Sequence, residues 1–103
     1  MDGIVKGLKL IGLTDLEAKV YLKLLQLKEA KVSTLSKETK VTRTQLYPLM
    51  EKLVERGIVE KSGDKVLVYK VIKTEELINL VEQWEREQAR LIKEIKSSLK
   101  NLK

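Results

Sequence analysis

Cysteine, histidine and phenylalanine are absent from this 103-residue sequence, and proline occurs once. Without thiols and imidazoles, the chain lacks the usual soft metal ligands, covalent nucleophiles and general bases. It also has no phosphate-cradling glycine loop, so we expect neither an enzyme nor a bound cofactor. The lack of cysteine excludes a disulfide framework and makes the reducing cytoplasm the expected location.

Long uncharged apolar runs are absent as well. A helix that spans a bilayer needs about 20 consecutive apolar residues, and Lys6 and Lys9 interrupt the apolar stretch at the N-terminus. We therefore expect no signal peptide and no binding to membranes. Hydrophobic residues still make up 43% of the chain, which is enough for a packed core.

The net charge of +6 belongs to one part of the sequence. Residues 1–73 carry 15 basic and 9 acidic side chains, whereas residues 74–103 carry 6 of each. Concentrated positive charge indicates a polyanionic partner such as a nucleic acid. Proteins also carry net charge simply to remain soluble, so charge alone leaves both explanations open.

Three helices are predicted in the first 40 residues. The first ends at Gly12, and the second begins with the capping-box pattern Thr14-x-x-Glu17. Val32 is expected to form a short strand that leads into a third helix, which Ser33 would cap.

A fourth helix is predicted over residues 43–56, opened by a second capping box, Thr42-x-x-Gln45, and closed by Gly57. Its apolar residues recur at the spacing of a helix with one buried face. They are Leu46, Leu49, Met50, Leu53 and Val54. β-Branched residues on either side of a turn at 62–65 then predict a β-hairpin.

Helix, short helix, capped helix and hairpin in this order are typical of a winged helix-turn-helix, a mainly α fold with a small β-hairpin. In such a fold the capped helix enters the major groove of DNA, where Arg can bond guanine and Gln adenine bidentately. The predicted base contacts are Arg43, Thr44, Gln45 and Pro48. The predicted contacts to the DNA backbone are Ser33, Thr42, Tyr47, Lys52, Lys61, Lys65 and Lys70. Pro48 removes one helical hydrogen bond and predicts a bend near Thr44.

Several of these residues also have a purely structural explanation. Thr42 and Gln45 would serve equally well as a helix cap, and Arg43 as a solvated residue of the first turn. Tyr47 and Tyr69 are expected to be partly buried packing residues, because so few aromatic residues argue against a stacking platform for single strands. The group of polar residues at the helix start, followed by a basic hairpin, nevertheless favours contact with duplex DNA.

Residues 74–103 are predicted to form one long helix that Thr74 caps, since no Gly or Pro follows. Its seam residues alternate spacings of 4 and 3, as in a coiled coil. The predicted dimer interface consists of Leu77, Val81, Trp84, Gln88, Leu91, Ile95 and Leu102, and Ser98 also lies on this seam. A lone helix cannot bury such a seam, so residues 1–73 are expected to bind DNA and residues 74–103 to pair two copies.

Charge is polarised along this last helix. Residues 74–87 carry five acids and one base, whereas residues 88–103 carry five bases and one acid. The helix dipole favours this order but acts only over a terminal turn. An antiparallel pair would place each acidic half against a basic half. The sequence therefore predicts an antiparallel homodimer, whose two DNA-binding domains fit a roughly palindromic site.

The segment IGLTDLEAKVYL at residues 11–22 resembles the entry helix of archaeal TrmB-like transcription regulators, whose pattern is LGLTxxEAxVYxxLL. VTRTQLY at 41–47 and EKLVERGIV at 51–59 are similar to the recognition helix and following strand of that family. QLYPL at 45–49 also resembles the PadR regulators, which carry Tyr-Pro in the equivalent helix. The resemblance implies a winged-helix fold, binding of duplex DNA and a role in transcription, with Arg43, Thr44 and Gln45 at the recognition positions.

The resemblance covers about residues 1–73 and departs from the family after that. Sugar-binding TrmB regulators have a large C-terminal effector domain, whereas this sequence continues as a helix, so no sugar-binding role is carried over. No residue pattern identifies a small-molecule effector. The alternative function is a winged-helix module that docks proteins of the transcription machinery without binding DNA. Such a module would not need the positive charge around Arg43.

Overall fold

A computed structural model describes residues 2–102, and for Asp2 the backbone alone. It contains α1 (Asp2–Leu10), α2 (Asp15–Leu27), β1 (Glu29–Lys31), α3 (Val32–Thr39), α4 (Arg43–Glu55), β2 (Val59–Ser62), β3 (Val68–Val71) and α5 (Thr74–Lys100). The chain divides into two compact units between Ile72 and Lys73. The predicted fold class, mainly helical with a small β-structure and a long last helix, is confirmed. In the part of the chain that is described, no helix is long and apolar enough to cross a bilayer.

The sheet has three antiparallel strands in the order β1-β3-β2. The hairpin of β2 and β3 was expected, but the strand predicted at Val32 lies earlier, at Glu29–Lys31, and Val32 is the first residue of α3. Pairing explains the shift, because β1 hydrogen-bonds along β3 and sets Ala30 opposite Tyr69. The preceding Lys28 ends α2 at a positive φ of 73° and turns the chain into this strand.

Two predicted helix caps are wrong. The N-caps of α3 and α5 are Lys31 and Lys73, and neither makes a side-chain capping bond. Ser33 and Thr74 lie inside the first turns of these helices. For α3 the reason is tertiary: the β1 pairing ends at Lys31, so the helix begins directly after the strand.

The two other predicted caps form. Thr14 and Glu17 make the complete capping box, with each side chain accepting from the other residue's backbone N–H at 3.1 and 2.8 Å. At α4, Thr42 accepts from the N–H of Gln45 at 3.3 Å. The Gln45 side chain accepts from the Thr42 hydroxyl at 3.2 Å and not from the backbone, so only half of the predicted box is present.

The core of the first unit lies between α2, α3, α4 and the sheet, and α4 contributes four of the five residues predicted for its buried face. The fully buried large side chains of this core are Val20, Tyr21, Leu24, Leu35, Leu46, Met50, Leu53 and Tyr69. Val54 is half-buried. Tyr21 donates to the carbonyl of Ile58 at 3.3 Å, and burial raises the pKa of its hydroxyl to about 12.

Arg56, directly after α4, is bonded to the turn between α1 and α2. Its guanidinium donates to the carbonyls of Ile11 and Gly12 at 3.3 and 2.9 Å. Gly12 has a φ of +105°, as expected of a helix stop, and an added Cβ would lie 3.3 Å from the guanidinium. These bonds hold the turn before α2 against the end of α4.

Helix α5 differs from all the others because none of its residues is buried. It runs for 27 residues without interruption. Apolar side chains along it remain open to solvent, including Ile92, Ile95 and Leu99, each more than half exposed. Helix α5 therefore presents apolar side chains to solvent along its length.

Candidate nucleic-acid interface

The packing of α4 decides which of its side chains are available. Four residues on one side anchor the helix in the core: Leu46, Leu49, Met50 and Leu53. The opposite side leaves Arg43, Thr44, Gln45 and Pro48 exposed, together with Lys52. The four predicted base contacts therefore lie on the free surface, at the first two turns of one helix.

Pro48 does not interrupt α4, which continues from Arg43 to Glu55. A proline lacks the N–H that would bond the carbonyl four residues earlier, here that of Thr44. Thr44 is exposed, so water can satisfy that carbonyl and the loss is tolerated. The bend near Thr44 stays a prediction.

One side of α4 faces the hairpin across a cavity of about 270 Å³, which we call the wing hollow. Its walls come from the start of α3, the start of α4 and the loop between β2 and β3. The lining residues are Lys31, Val32, Ser33, Arg43, Tyr47, Lys65, Val66 and Leu67. Three of them are cations, two carry hydroxyl groups and none is a carboxylate, so the hollow is suited to an anion.

The electrostatics of the wing hollow add to this preference. Ser33 lies in the first turn of α3, where unpaired backbone N–H groups and the helix dipole favour a negative ligand. Tyr47 is 48% exposed, so about half of its surface is covered, in agreement with the predicted partial burial. Tyr69, predicted in the same way, is only 1% exposed and belongs to the core.

The opposite side of α4 borders a second hollow, also of about 270 Å³. Its lining consists of Thr14, Leu16, Glu17, Gln45, Pro48, Leu49 and Lys52. The predicted DNA contacts therefore divide between two flanks, with Arg43 and Tyr47 on the hairpin side and Gln45 and Lys52 on the α2 side. The second flank has fewer cations and includes the carboxylate of Glu17.

Gln45 and Thr42 are bonded to each other at the tip of α4. The carbonyl oxygen of the Gln45 side chain accepts the Thr42 hydroxyl, which uses one of its two lone pairs. The amide nitrogen is left to donate. Capping and base contact are thus compatible for Gln45, and the cap holds its amide near the start of the helix.

The predicted wing lysines have unequal surroundings. Lys61 forms an ion pair with Glu51 of α4, with 2.7 Å between Nζ and Oε1. The hydroxyl of Tyr69 donates to the same carboxylate at 3.3 Å. The hydrogen bond from Lys61, followed by its charge and by the Tyr69 bond, holds the pKa of Glu51 below its ordinary value. The charge of Lys61 is therefore compensated, and it ties the hairpin to α4.

Lys70 and Lys65 differ in their neighbours: Lys70 has carboxylates in register with it, whereas Lys65 borders the wing hollow. Lys70 lies on the central strand, in register with Glu29 on one neighbour and Glu60 on the other. Lys65 lies in the loop after Gly63, at the rim of the wing hollow. Of the predicted wing lysines, Lys65 has the most favourable position for an external anion.

Gly63 makes this loop geometry possible. It has a φ of +98°, and an added Cβ would come within 2.1 Å of the carbonyl oxygen of Val66. Any side chain at residue 63 would displace the backbone that positions Lys65. The predicted turn at 62–65 thus depends on glycine for both conformation and space.

Sequence reasoning missed four residues of the wing hollow: Lys31, Val32, Val66 and Leu67. Val32 was expected only to form a short strand. Lys31 was overlooked because α3 was expected to begin at Ser33, whereas Lys31 is its N-cap. A lysine two residues before a predicted helix start was the available signal. Val66 and Leu67 had been interpreted only as residues of the hairpin.

The predicted dimer residues lie on α5, apart from Leu102, which follows it. Leu77, Trp84 and Gln88 are half-buried within the single chain. The remaining ones are exposed: Val81, Leu91, Ile95 and Leu102. The predicted seam therefore does not coincide with the most exposed apolar side of the helix.

The order and packing of these elements define the class of fold, a winged helix-turn-helix. The family model described as "Sugar-specific transcriptional regulator TrmB" matches residues 8–75. The chain therefore belongs to the TrmB family of transcriptional regulators, as its entry helix and recognition helix indicated. None of the curated proteins matches the chain at a significant level.

Solved structures share the fold at low sequence identity. A possible transcriptional regulator from Methanosarcina mazei is 23% identical with a TM-score of 0.75, over 84% of this chain and 80% of that one. TrmBL2, described as an archaeal chromatin protein with a novel mode of DNA binding, is 18% identical with a TM-score of 0.76, over 98% of this chain and 39% of its own. The ST1889 protein from the archaeon Sulfolobus tokodaii is 17% identical with a TM-score of 0.77, over 88% and 96%.

Proposed function

We propose that the protein is a sequence-specific regulator of transcription that binds double-stranded DNA as a homodimer in the cytoplasm. Helix α4 would enter the major groove with Arg43, Thr44, Gln45 and Pro48 toward the bases. The observation that carries this proposal is the wing hollow, where three cations surround a cavity directly beside the exposed start of α4. A DNA phosphate next to the contacted bases would match its charge and position.

The two kinds of contact would have different effects. Arg43 and Gln45 would read base edges, because their donor groups suit guanine and adenine. Lys65 would neutralise a phosphate and supply affinity without sequence preference. Lys61 would contribute less than Lys65, because Glu51 already compensates its charge.

The homodimer would form through α5, with the two helices antiparallel as the opposite charges of its halves predict. Two DNA-binding units on one dimer would recognise half-sites about 34 Å apart, one turn of the double helix. A palindromic operator would then follow from the two-fold symmetry of the protein.

Fluorescence anisotropy with duplex DNA from the upstream region of the protein's own gene, titrated with salt, tests the proposal. Arg43→Ala and Gln45→Ala should reduce the preference for that DNA over unrelated duplexes. Lys65→Ala should weaken binding to all duplexes and lower the slope of log K against log salt by about 1.

Lys93→Ala is the matched control, since it removes one exposed positive charge from α5 and not from the unit that carries the proposed interface. It should leave both affinity and preference unchanged. If the wild-type protein binds no duplex even at low salt, the proposal fails, and docking of a protein partner becomes the better explanation.

A further inference from the structure

The exposed apolar residues of α5 form a seam that differs from the predicted one. Five of them recur on one side of the helix: Ile78, Val81, Ile92, Ile95 and Leu99, and Leu102, just after the helix, continues their spacing. Glu85 and Gln88 complete the alternating spacing of 3 and 4 between them. We call these eight residues the exposed seam. It shares Val81, Gln88, Ile95 and Leu102 with the predicted seam. The remaining residues of the predicted seam, which include the half-buried Leu77 and Trp84, do not belong to it.

Salt bridges within α5 identify the side opposite to this seam. Arg90 pairs with Glu87 at 2.6 Å and with Glu94 at 2.7 Å on the same helix. These charges satisfy one another within one chain and need no partner. If two helices pair along the exposed seam, these charged residues lie on the outer side of the pair. On the predicted seam Glu87 would instead lie beside Glu94 of the partner subunit, a repulsive contact.

Glu85 decides the orientation of a second copy on this seam. In a parallel pair every seam residue meets its own equivalent, so two Glu85 carboxylates would oppose each other in the interface. In an antiparallel pair centred near Arg90, Glu85 lies opposite Ile95 of the partner subunit. Val81 then lies opposite Leu99 of the partner subunit, so every layer contains at least one apolar residue.

Along one edge of the exposed seam lies a row of three exposed residues, Glu82, Ala89 and Lys96, which we call the edge column. Its charges are complementary to those of the same column in a second copy. In antiparallel coiled coils, this column faces the same column of the other helix. Glu82 then lies beside Lys96 of the partner subunit, which gives two symmetric ion pairs per dimer. Ala89 lies beside Ala89 of the partner subunit, where its small side chain allows the helices to approach closely.

We propose that two copies of this chain pair antiparallel along the exposed seam, with Ala89 at the two-fold axis and Glu82 paired with Lys96 of the partner subunit. This register specifies the interface of the homodimer proposed above and rests on that proposal. Leu91 and Trp84, both predicted interface residues, would flank the seam on its other side.

Disulfide trapping tests the register cleanly because the chain contains no cysteine of its own. Ala89→Cys should form a disulfide-linked dimer of the 103-residue chain under mild oxidation. Ile95→Cys should not, since in this register Ile95 faces Glu85 of the partner subunit. Lys93→Cys, on the outer side, should not link either.

Sedimentation of each variant under reducing conditions distinguishes failure of the proposed register from failure of the proposed homodimer. A reduced protein that is dimeric but does not link through Ala89→Cys, or that links through Ile95→Cys, overturns the register and leaves the homodimer intact. A protein that sediments as a monomer at micromolar concentration overturns the homodimer as well. Under the predicted seam Ala89 points away from the partner, so Ala89→Cys distinguishes the two seams.

Charge reversal gives an independent readout. Glu82→Lys or Lys96→Glu alone should raise the dimer dissociation constant about tenfold, since two modest ion pairs become repulsive. The double variant Glu82→Lys/Lys96→Glu should return to the wild-type value, and Lys93→Glu should not differ from it. Single reversals that leave dimerisation unchanged would overturn the ion pairing, because on the predicted seam neither residue meets the partner.

Discussion

The two units of this chain bury their apolar residues in different ways. Between Leu8 and Ile72, helices and strands cover one another, and the first unit contains all the buried apolar side chains of the described chain. Helix α5 has no buried residue, although apolar residues recur along its whole length. The positive charge also divides in this way, with the whole excess in residues 1–73.

This difference shows what each unit requires. The first unit has an internal core, so its folding depends on its own contacts and its outer surface is available for a polyanion. A single helix has no internal core, and most of the stability of protein helices comes from packing an amphipathic face. For α5 that packing has to come from outside the helix. The comparison leads to four predictions, in order of decreasing effect.

The largest effect should follow from removing core volume. Leu24→Ala, at a fully buried residue of α2, should lower the free energy of unfolding by about 2 to 5 kcal/mol. Leu99→Ala, at an exposed residue of α5, should leave the unfolding of the first unit almost unchanged. Urea denaturation measures both. Equal losses of unfolding free energy in the two variants would show that the core leucine and the α5 leucine contribute equally to the stability of the first unit.

Next in size is the loss of α5 as a whole. A chain that stops after Lys73 should remain folded, because its core residues are all present. It should bind a two-half-site duplex at least about 100-fold more weakly than the full chain, since the second unit is no longer tethered. Circular dichroism and anisotropy measure the two properties. On a duplex with a single half-site, the truncated and full chains should bind almost equally.

Alkaline pH should then destabilise the first unit through Tyr21. Its hydroxyl has an ordinary pKa of 10 that burial raises to about 12 in the folded protein. The neutral form is favoured on folding, so this contribution is complete below pH 10 and is lost as the pH rises toward 12. The loss is roughly 2 to 3 kcal/mol. Tyr21→Phe should cost about 1 kcal/mol at neutral pH through the lost hydrogen bond and should abolish this alkaline component.

The contrast between wild type and Tyr21→Phe is the measurement that matters, because lysines titrate in the same range. Tyr69→Phe, at the other fully buried tyrosine, is a second comparison and not a silent control, because burial raises the pKa of Tyr69 as well. An identical fall in stability for wild type and Tyr21→Phe above pH 10 would rule out Tyr21 as the cause.

The smallest effect concerns Glu51, which ties the hairpin to α4. Its pKa lies below the ordinary value of 4.5, so its contribution to stability is present above that pH and is lost as the pH falls through the lower, folded value. Glu51→Gln should therefore flatten the acid side of the stability profile slightly. It should also free Lys61 and tighten DNA binding a few-fold, with a salt slope steeper by about 1.

Glu55→Gln is the control for that change, because it removes the same charge from the exposed side of α4. Both variants should gain affinity from reduced repulsion of phosphate, but Glu51→Gln should gain more. Equal gains would mean that the pairing of Lys61 with Glu51 does not limit its contact with DNA.

Several features of the fold were readable from local sequence because local physics determines them. Thr14 and Glu17 form their box within one turn, and Gly12 and Gly63 adopt positive φ values that other residues avoid. The buried face of α4 followed from apolar spacing alone. Ser33 and Thr74 were misassigned as caps because a suitable residue type near a helix start does not show where the preceding strand or linker ends.

The candidate site shows the same division. Sequence pattern placed Arg43, Thr44 and Gln45 on the exposed start of α4, because the period of an α-helix separates buried from exposed residues without knowledge of the rest of the chain. Only the tertiary structure decided that Lys61 is neutralised by Glu51 and that Lys31 joins Arg43 and Lys65 around one cavity. These groups are distant in sequence, and their electrostatic roles depend on separations of a few ångströms that helix and strand periodicity cannot specify.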